Sequence, residues 1–318
     1  MEKNLTPQSQ SSLGFFGIIR ESLKTTSRNG KLLLPTLLLV FLASSQLDFA
    51  QKYILAPVAK DFVFQMAKHP NMVHDLTYNI DQTTYVGALD DVREILLVKL
   101  LILVISSVIS LVFLVATVSS SSEAYTAKVL SRKDMFLKIK ASWKRPLVTS
   151  FYMILLTFGI ISLYLISIGV TSILAVNSWA VVFFGAITLS IPVCYFYVAA
   201  LWMVSVVVSV LEEDFVGVKA IGRAAELMKG KKLQASLMMV LFAMFYGVVH
   251  MMANCVTSHN LSQSTRMAIT IPFTNGLFSL LKLFMFVVFT VFYHERKTSH
   301  DEKEGKGFYL PIAAADQA

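Results

Sequence analysis

No Asp, Glu, Lys or Arg occurs in the 65 residues from Leu147 to Leu211. A helix that crosses a membrane needs about 20 apolar residues to span a hydrocarbon core of roughly 30 Å, so this run is too long for one crossing. Within a bilayer only helices and closed barrels satisfy the backbone hydrogen bonds, and barrel strands alternate polar with apolar side chains. Because the run is apolar without alternation, the sequence predicts an all-α fold, a polytopic transmembrane helical bundle.

Similar apolar runs recur in a chain that is 55% hydrophobic and 15% charged, whereas globular domains carry about 25% charged residues. Their lengths predict six spans, at about 32–50, 95–118, 148–170, 182–210, 233–254 and 268–293. These spans form a transmembrane domain over 32–293, between a cytosolic N-terminus with an amphipathic helix (1–31) and a cytosolic tail (294–318). Pro192 and Pro272 are expected to kink or begin helices rather than to break spans.

The distribution of Lys and Arg gives the orientation, because cytosolic loops carry an excess of basic residues. In the predicted topology 21 of the 28 basic residues lie on the cytosolic side, five on the outer side and two within spans. Both termini are therefore predicted to be cytosolic, and the net charge of +8 requires no nucleic-acid partner. We expect a multi-pass protein of the endomembrane system (endoplasmic reticulum) or of the plasma membrane.

Three short segments, one before each outward-going span, carry apolar residues spaced three and then four apart, which forms one stripe on a helix. The stripes are Phe16, Ile19, Leu23; Phe136, Ile139, Trp143; and Val218, Ile221, Ala225. The accompanying basic residues are candidates for contact with anionic lipid headgroups: Arg20, Lys24, Lys138, Lys140, Lys144, Arg145, Lys219, Arg223, Lys231 and Lys232. The pattern indicates either a threefold repeat or the shared chemistry of segments that lie on a membrane surface.

Lys99 and Lys282 are the basic residues inside predicted spans, and Asp48 is the acidic one. A charge at mid-bilayer costs about 2.5–3.5 kcal/mol on insertion scales, so such residues usually face a partner or a cavity. Lys99 lies near the outer end of its span, where its long stem can carry the ammonium to water. Lys282 lies deeper, and Asp48 is nominated as its partner.

Glu212, Glu213 and Asp214 form an acidic cluster where the fourth span ends. One interpretation is a cation site or gate. The other is helix capping, in which Asp214 precedes a helix over 215–229 and stabilises its positive end.

The segment VVVSVLEEDFVGVKAIGRAAELMKGKKLQAS (206–236) resembles a family of uncharacterised plant multi-pass membrane proteins. In that family a span ends in a V-S-V-L-E-(D/E) run, followed by a small helix and a K-G-K step. The resemblance extends to Ser142-Trp143-Lys144-Arg145, to the contexts of Lys99 and Lys282, and to the order of spans. A shorter stretch is similar to the membrane domain of bacterial glycerophosphodiester phosphodiesterases, without the catalytic domain. The resemblance implies a fold and no activity.

The sequence contains no phosphate-binding glycine loop, zinc-binding helix or nucleophile elbow, and no paired His or carboxylate set in the predicted spans. We therefore predict a non-enzymatic protein without catalytic residues, cofactor or metal. The leading hypothesis is an endomembrane scaffold or lipid-interacting protein whose partner is the bilayer and its anionic headgroups. The alternative is a transporter or channel for a small solute or lipid, with a pathway that involves Lys282 and the serine-rich second span.

The predicted topology can be tested with two tags. A tag near residue 75 should be reachable only from the lumenal or extracellular side, and a reporter fused to residue 318 should report the cytosol, because the basic loops hold the opposite ends of the spans inside. Protease accessibility in sealed vesicles of known orientation measures both. Protection of the residue-75 tag where the outer side is exposed would contradict the topology.

Overall fold

The computed structural model describes residues 14–28, 30–68, 82–126, 132–173, 178–257 and 263–308. Within these ranges the chain forms helices joined by short turns, and no β-strand. The helices are α1 (Phe15–Arg28), α2 (Gly30–Lys68), α3 (Gln82–Tyr125), α4 (Arg132–Ser142), α5 (Lys144–Ile173), α6 (Ser178–Leu211), α7 (Val218–Leu227), α8 (Lys232–Thr257) and α9 (Gln263–Phe308). Residues 75 and 318, named above for tags, lie outside the described residues, as does the side chain of Phe136.

Six stretches of these helices are long and apolar enough to cross a membrane, by length and composition. They are Leu33–Pro57, Val92–Tyr125, Lys144–Ile173, Val181–Leu211, Lys232–Cys255 and Met267–His300. The predicted all-α polytopic fold is therefore confirmed. Pro192 and Pro272 lie inside α6 and α9, so neither proline breaks its span, as expected.

The order of the helices repeats three times as one short helix followed by two long ones. The short helices are α1, α4 and α7, with 14, 11 and 10 residues. The first long helices are α2, α5 and α8, and the second long helices are α3, α6 and α9. Each short helix coincides with one of the three predicted stripes, so the threefold pattern of the sequence is also present in the secondary structure.

The chain forms two compact units. Unit 1 comprises Met1–Leu34, Leu114–Val248 and Leu281–Ala318, and unit 2 comprises Pro35–Phe113 and Val249–Leu280. Unit 1 contains the three short helices, all of α5 and α6, most of α8, and the last parts of α3 and α9. Unit 2 contains most of α2 and the first part of α3, together with the end of α8 and the start of α9.

The core of unit 1 is formed by the second long helices. Every residue is buried in 115–121 of α3, 204–210 of α6 and 285–293 of α9, so each helix is covered on all sides for about two turns. These stretches are rich in small hydroxyl residues, which let helix backbones approach closely: Thr117, Ser119, Ser120, Ser121, Ser205, Ser209 and Thr290. In contrast, α5 exposes large apolar side chains such as Phe158 and Leu165, as a helix in contact with lipid does.

The fully buried residues of the short helices lie beside their predicted stripes rather than on them. In α1 the buried positions are Ile18, Ser22 and Thr25, and in α7 they are Ala220, Ala224 and Leu227. The spacing is four and then three in both helices. Ser142 lies buried at the equivalent position of α4. The stripe residues Phe16, Leu23 and Val218 are exposed.

A glycine with positive φ begins α7. Gly217 has φ +60°, and its amide nitrogen donates a hydrogen bond to Thr149 Oγ1 of α5 at 2.9 Å. A Cβ atom at this position would lie 3.0 Å from the ring of Tyr152. The left-handed backbone and the close ring both favour glycine here, and the hydrogen bond fixes the start of α7 against α5.

Replacing Gly217 by Ala should therefore destabilise the protein. We expect the free energy of unfolding of Gly217→Ala to fall by about 1–3 kcal/mol from backbone strain, with an added clash against Tyr152. The matched control is Gly222→Ala, in the middle of α7 with open space around the new methyl group, which should be neutral or stabilising by about 0.5–1 kcal/mol. Thermal unfolding in detergent measures both, and equal midpoints for the two variants would contradict this account of the turn.

Candidate functional site

A half-buried carboxylate lies at the end of α6 and binds side chains from two other helices. Glu212 Oε1 accepts hydrogen bonds from the hydroxyl of Tyr293 at 2.5 Å and from Lys297 Nζ at 3.0 Å. Its Oε2 lies 3.8 Å from Arg223 Nε of α7. We call these four residues the glutamate cluster. It joins α6, α7 and α9 within unit 1.

The charge of Glu212 is stabilised by its neighbours. Burial by itself would raise the pKa of Glu212. Hydrogen bonds from Tyr293 and Lys297, with the positive charges of Lys297 and Arg223, outweigh burial and lower the pKa below its ordinary value of 4.5. The carboxylate is therefore ionised at neutral pH and serves as an acceptor rather than as an acid.

A second contact from α9 holds the far end of α7. The buried guanidinium of Arg296 donates from Nε to the carbonyl oxygen of Leu227 at 2.9 Å and from Nη2 to that of Lys229 at 3.0 Å. The last carbonyl groups of a helix lack intrahelical donors and carry partial negative charge, so a buried cation is well placed there. Both ends of α7 are thus fixed, by Gly217 at its start and by Arg296 at its end.

The capping hypothesis for the acidic cluster is wrong. The N-cap of α7 is Gly217, without a side-chain capping hydrogen bond, and the helix begins at Val218 rather than at 215. Asp214 is exposed. The physical reason is the left-handed glycine, which places the start of the helix three residues later. As for a cation site, the carboxylates of Glu212 and Glu213 are already bound by basic side chains, Glu213 by Arg145 at 3.0 Å.

Three of the ten basic residues predicted to contact lipid headgroups form ion pairs with another element of unit 1, and a fourth, Lys24, pairs within its own helix. Lys138 binds Glu123 at 2.9 Å, Arg145 binds Glu213, and Arg223 binds Glu212. In two of these pairs, a basic residue of one short helix meets the acidic residue that ends the preceding second long helix. Headgroup contact is thus left to the remaining candidates.

The other seven candidates lie at the surface or partly buried. Lys24 is paired with Glu21 within α1 at 3.4 Å. The ammonium groups of Lys144 and Lys232 lie over the rings of Trp143 and Tyr197, 5.9 and 5.6 Å from the centroids. Arg20, Lys140 and Lys219 are exposed, and Lys231 is half-buried.

Sequence reasoning missed the residues that α9 contributes. Tyr293, Arg296 and Lys297 follow an apolar span, and a run of polar residues at such a point was read only as the end of the membrane segment. The available signal was the spacing of four between Tyr293 and Lys297, which places both on one face of the helix. Their contact with Glu212, more than 80 positions away, is long-range and leaves no local pattern.

Unit 2 contains a separate polar cleft of about 440 Å³ between α2 and α3. Its polar lining is Asp48, Gln51, Lys99, Ser106, Ser107 and Ser110, and its apolar lining is Leu47, Ile102 and Leu103. The cleft brings together Asp48 and Lys99, two of the three residues predicted to carry charge within the membrane. It also includes the serines of the second span.

The structure gives one side-chain partner for Asp48 and a place for Lys99. Asp48 Oδ2 accepts a hydrogen bond from Asn275 Nδ2 of α9 at 2.8 Å. Lys99, for which snorkelling to the interface was expected, lines the cleft. Lys282 is half-buried on α9, and its pairing with Asp48 stays a prediction.

A family model described as "Domain of unknown function (DUF8558)" matches residues 3–308. No curated protein and no solved structure matches the chain.

The glutamate cluster predicts a sharp difference between two neighbouring glutamates. Glu212→Gln should lower the free energy of unfolding by about 1–3 kcal/mol at neutral pH, because it leaves partly buried cations without their carboxylate. Glu213→Gln should cost about 0–1 kcal/mol, since the side chain of Glu213 is 82% exposed against 10% for Glu212.

The same pair predicts a pH dependence. The folded-state pKa of Glu212 is lowered, so its contribution is fully present above the ordinary pKa and is lost as pH falls through the lower folded-state value. Unfolding by SDS in mixed micelles, from neutral to acidic pH, should show wild type and Glu212→Gln converging at the acidic end. A difference that stays constant over that range would show that the charge of Glu212 is not what stabilises the cluster.

Proposed function

The chain belongs to the family of the domain of unknown function DUF8558, and we propose that it is a non-enzymatic membrane scaffold whose short helices bind anionic lipid headgroups. In this proposal both termini are cytosolic, and the membrane is an endomembrane (endoplasmic reticulum) or the plasma membrane. The resemblance to plant multi-pass proteins, and to a phosphodiesterase membrane domain without its catalytic part, agrees with a role that involves no chemistry of its own.

The observation that carries the proposal is the two-sided character of α1 and α7. Each helix buries one face in unit 1, and each exposes bulky residues of its stripe: Phe16 is 81% exposed, Leu23 56% and Val218 64%, while Ile19 and Ile221 are half-buried. At 3.6 residues per turn the buried and exposed faces of α1 lie roughly 130° apart. A soluble surface gains nothing from exposed Phe, Leu and Val, whereas a membrane interface buries them.

Basic residues accompany the exposed stripes. Arg20 and Lys24 lie on α1, and Lys219 lies on α7. A Lys or Arg near an anionic leaflet contributes about 1 kcal/mol of attraction. Apolar anchors with adjacent cations are the pattern of helices that lie in the headgroup layer.

The rest of unit 1 supports scaffolding by keeping α7 in place. The contacts of Gly217 with Thr149 and of Arg296 with the end of α7 fix this helix at both ends. A prepositioned surface loses little conformational entropy when it binds lipid, so its cations act together.

A second candidate function is transport of a small solute or lipid, and the polar cleft of unit 2 is the observation that favours it. The cleft contains charge and hydroxyl groups on helices that are otherwise apolar. A transporter also needs a route to both faces of the membrane, so flux assays in proteoliposomes distinguish the two proposals.

The scaffold proposal predicts which basic residues retain anionic lipid. Arg20→Gln with Lys219→Gln should weaken binding of phosphatidylserine by up to about 30-fold, since two such charges contribute about 2 kcal/mol. The matched control is Lys52→Gln with Lys60→Gln, two exposed lysines of α2 that the topology places on the outer side. Lipid copurified from vesicles of phosphatidylcholine and phosphatidylserine is quantified by mass spectrometry. Equal losses in both double variants would reject the proposal.

Depth measurements test the apolar stripe separately. Nitroxide labels at Phe16 and Leu23, in a background without Cys194 and Cys255, should be reached by oxygen and shielded from a water-soluble nickel chelate. A label at Arg20 should show the reverse, because it lies off the stripe. If the chelate reaches all three positions equally in reconstituted vesicles, α1 does not lie on lipid.

A further inference from the structure

We propose that the polar cleft of unit 2 binds the zwitterionic headgroup of a glycerophospholipid, with phosphate at Lys99 and ammonium at Asp48. This site is distinct from the anionic contacts of the short helices, since all of its lining comes from α2 and α3 within unit 2. It assigns a role to the intramembrane charges that the scaffold proposal leaves unused.

The cleft is built from one face of each helix. On α3 the lining positions run from Lys99 to Ser110 at spacings of three and four, which keeps them on one side for three turns, or about 16 Å. On α2, Asp48 and Gln51 are separated by three positions and share a face. The volume of about 440 Å³ lies within the range of small-molecule sites, roughly 300–1,000 Å³.

The charges of the cleft favour a ligand that carries both signs. The ion pairs formed by the described residues do not include one between Lys99 and Asp48. Asp48 is held by Asn275, a neutral donor that leaves the negative charge in place. An anion alone would be repelled by Asp48 and a cation alone by Lys99, whereas a zwitterion complements both.

The order of polar groups along the cleft favours a lipid over a soluble zwitterion. Lys99 lies seven residues from the start of its span at Val92, and Asp48 nine residues from the end of its span at Pro57, so both charges lie about 10–14 Å from the same end. The serines follow further in. This order matches a phospholipid whose headgroup lies across the cleft, with ammonium and phosphate at similar depth, and whose ester carbonyl groups follow further in and accept hydrogen bonds from hydroxyls.

The apolar surroundings complete the match. Leu100 and Leu103 of α3 are largely exposed beside the cleft, where acyl chains would lie along the helix. Ser107 donates its hydroxyl to the carbonyl oxygen of Leu103 at 2.7 Å, so Ser106 and Ser110 are the proposed donors to the ester groups.

Binding of three probes by the purified protein in detergent tests the proposal. Dioctanoyl phosphatidylethanolamine should bind more tightly than dioctanoyl phosphatidylglycerol, which has the same chains and a net negative charge. It should also bind more tightly than glycerophosphoethanolamine, which has the headgroup without chains. Because phosphatidylglycerol is also expected to bind the short helices, the comparison uses only the part of each binding that Lys99→Gln removes. An equal or larger part for phosphatidylglycerol would overturn the zwitterion assignment. Equal binding of glycerophosphoethanolamine would overturn the lipid assignment.

Variants connect that binding to the two charges. Lys99→Gln and Asp48→Asn should each weaken phosphatidylethanolamine binding about tenfold or more, since each removes a charged hydrogen bond. Lys99→Arg should retain it, and Lys52→Gln on the same helix as Asp48 should leave it unchanged. Unchanged binding in Lys99→Gln would reject the site. These cleft variants should still retain phosphatidylserine, whereas Arg20→Gln/Lys219→Gln should lose it. The cleft proposal and the scaffold proposal can therefore fail independently.

A measurement on the wild-type protein guards against variants that fail to fold. A phosphatidylethanolamine with a photoreactive diazirine near the glycerol should cross-link to α3 between 99 and 110, and peptide mass spectrometry locates the adduct. Adducts confined to other helices would overturn the proposal.

Discussion

The packing of unit 1 depends on the polar contacts of the Glu212 carboxylate with α7 and α9. When two helices in a membrane exchange lipid contacts for contacts with each other, they gain no hydrophobic free energy. They therefore associate through close packing and through polar contacts. Unit 1 uses both. Small hydroxyl residues allow the second long helices to approach, and at their ends Glu212 receives Tyr293, Lys297 and Arg223 from two other helices. A partly buried acceptor with several donors is costly to break, because Tyr293 and Lys297 would lose their hydrogen bonds to the carboxylate.

The contacts that hold α7 in unit 1 determine which of its side chains are exposed. Because α7 is held at its start by Thr149 and at its end by Arg296, the exposure of Val218 follows from the packing and not from a loose segment. The same spacing of buried positions occurs in α1, at Ile18, Ser22 and Thr25. Two copies with one docking geometry and one exposed apolar stripe argue for internal repetition. A common environment would select amphipathic helices, but it would not by itself select the same spacing of buried positions.

The positions of the spans could be predicted from the sequence, but the contacts between them could not. The spans follow from run length and charge, which are local quantities, and for the same reason Pro192 and Pro272 were correctly kept inside helices. The start of α7 was misplaced because Asp214 is a common cap, whereas Gly217 takes a left-handed conformation fixed by a contact with α5. The partners of Glu212 and Asp48 lie far away in sequence, and no periodicity encodes them.

The glutamate cluster of unit 1 and the polar cleft of unit 2 differ in how their charges are compensated. In unit 1 the half-buried charge of Glu212 is neutralised by the chain itself, which makes the glutamate cluster a structural element rather than a receptor. In unit 2 Asp48 is bound by a neutral amide, and Lys99 lines the same cleft on the adjacent helix. Charge at membrane depth is costly, so it is retained where a partner or a cavity compensates for it. A ligand with both charges, carried there on apolar chains through the bilayer, meets that requirement without opening a path for water.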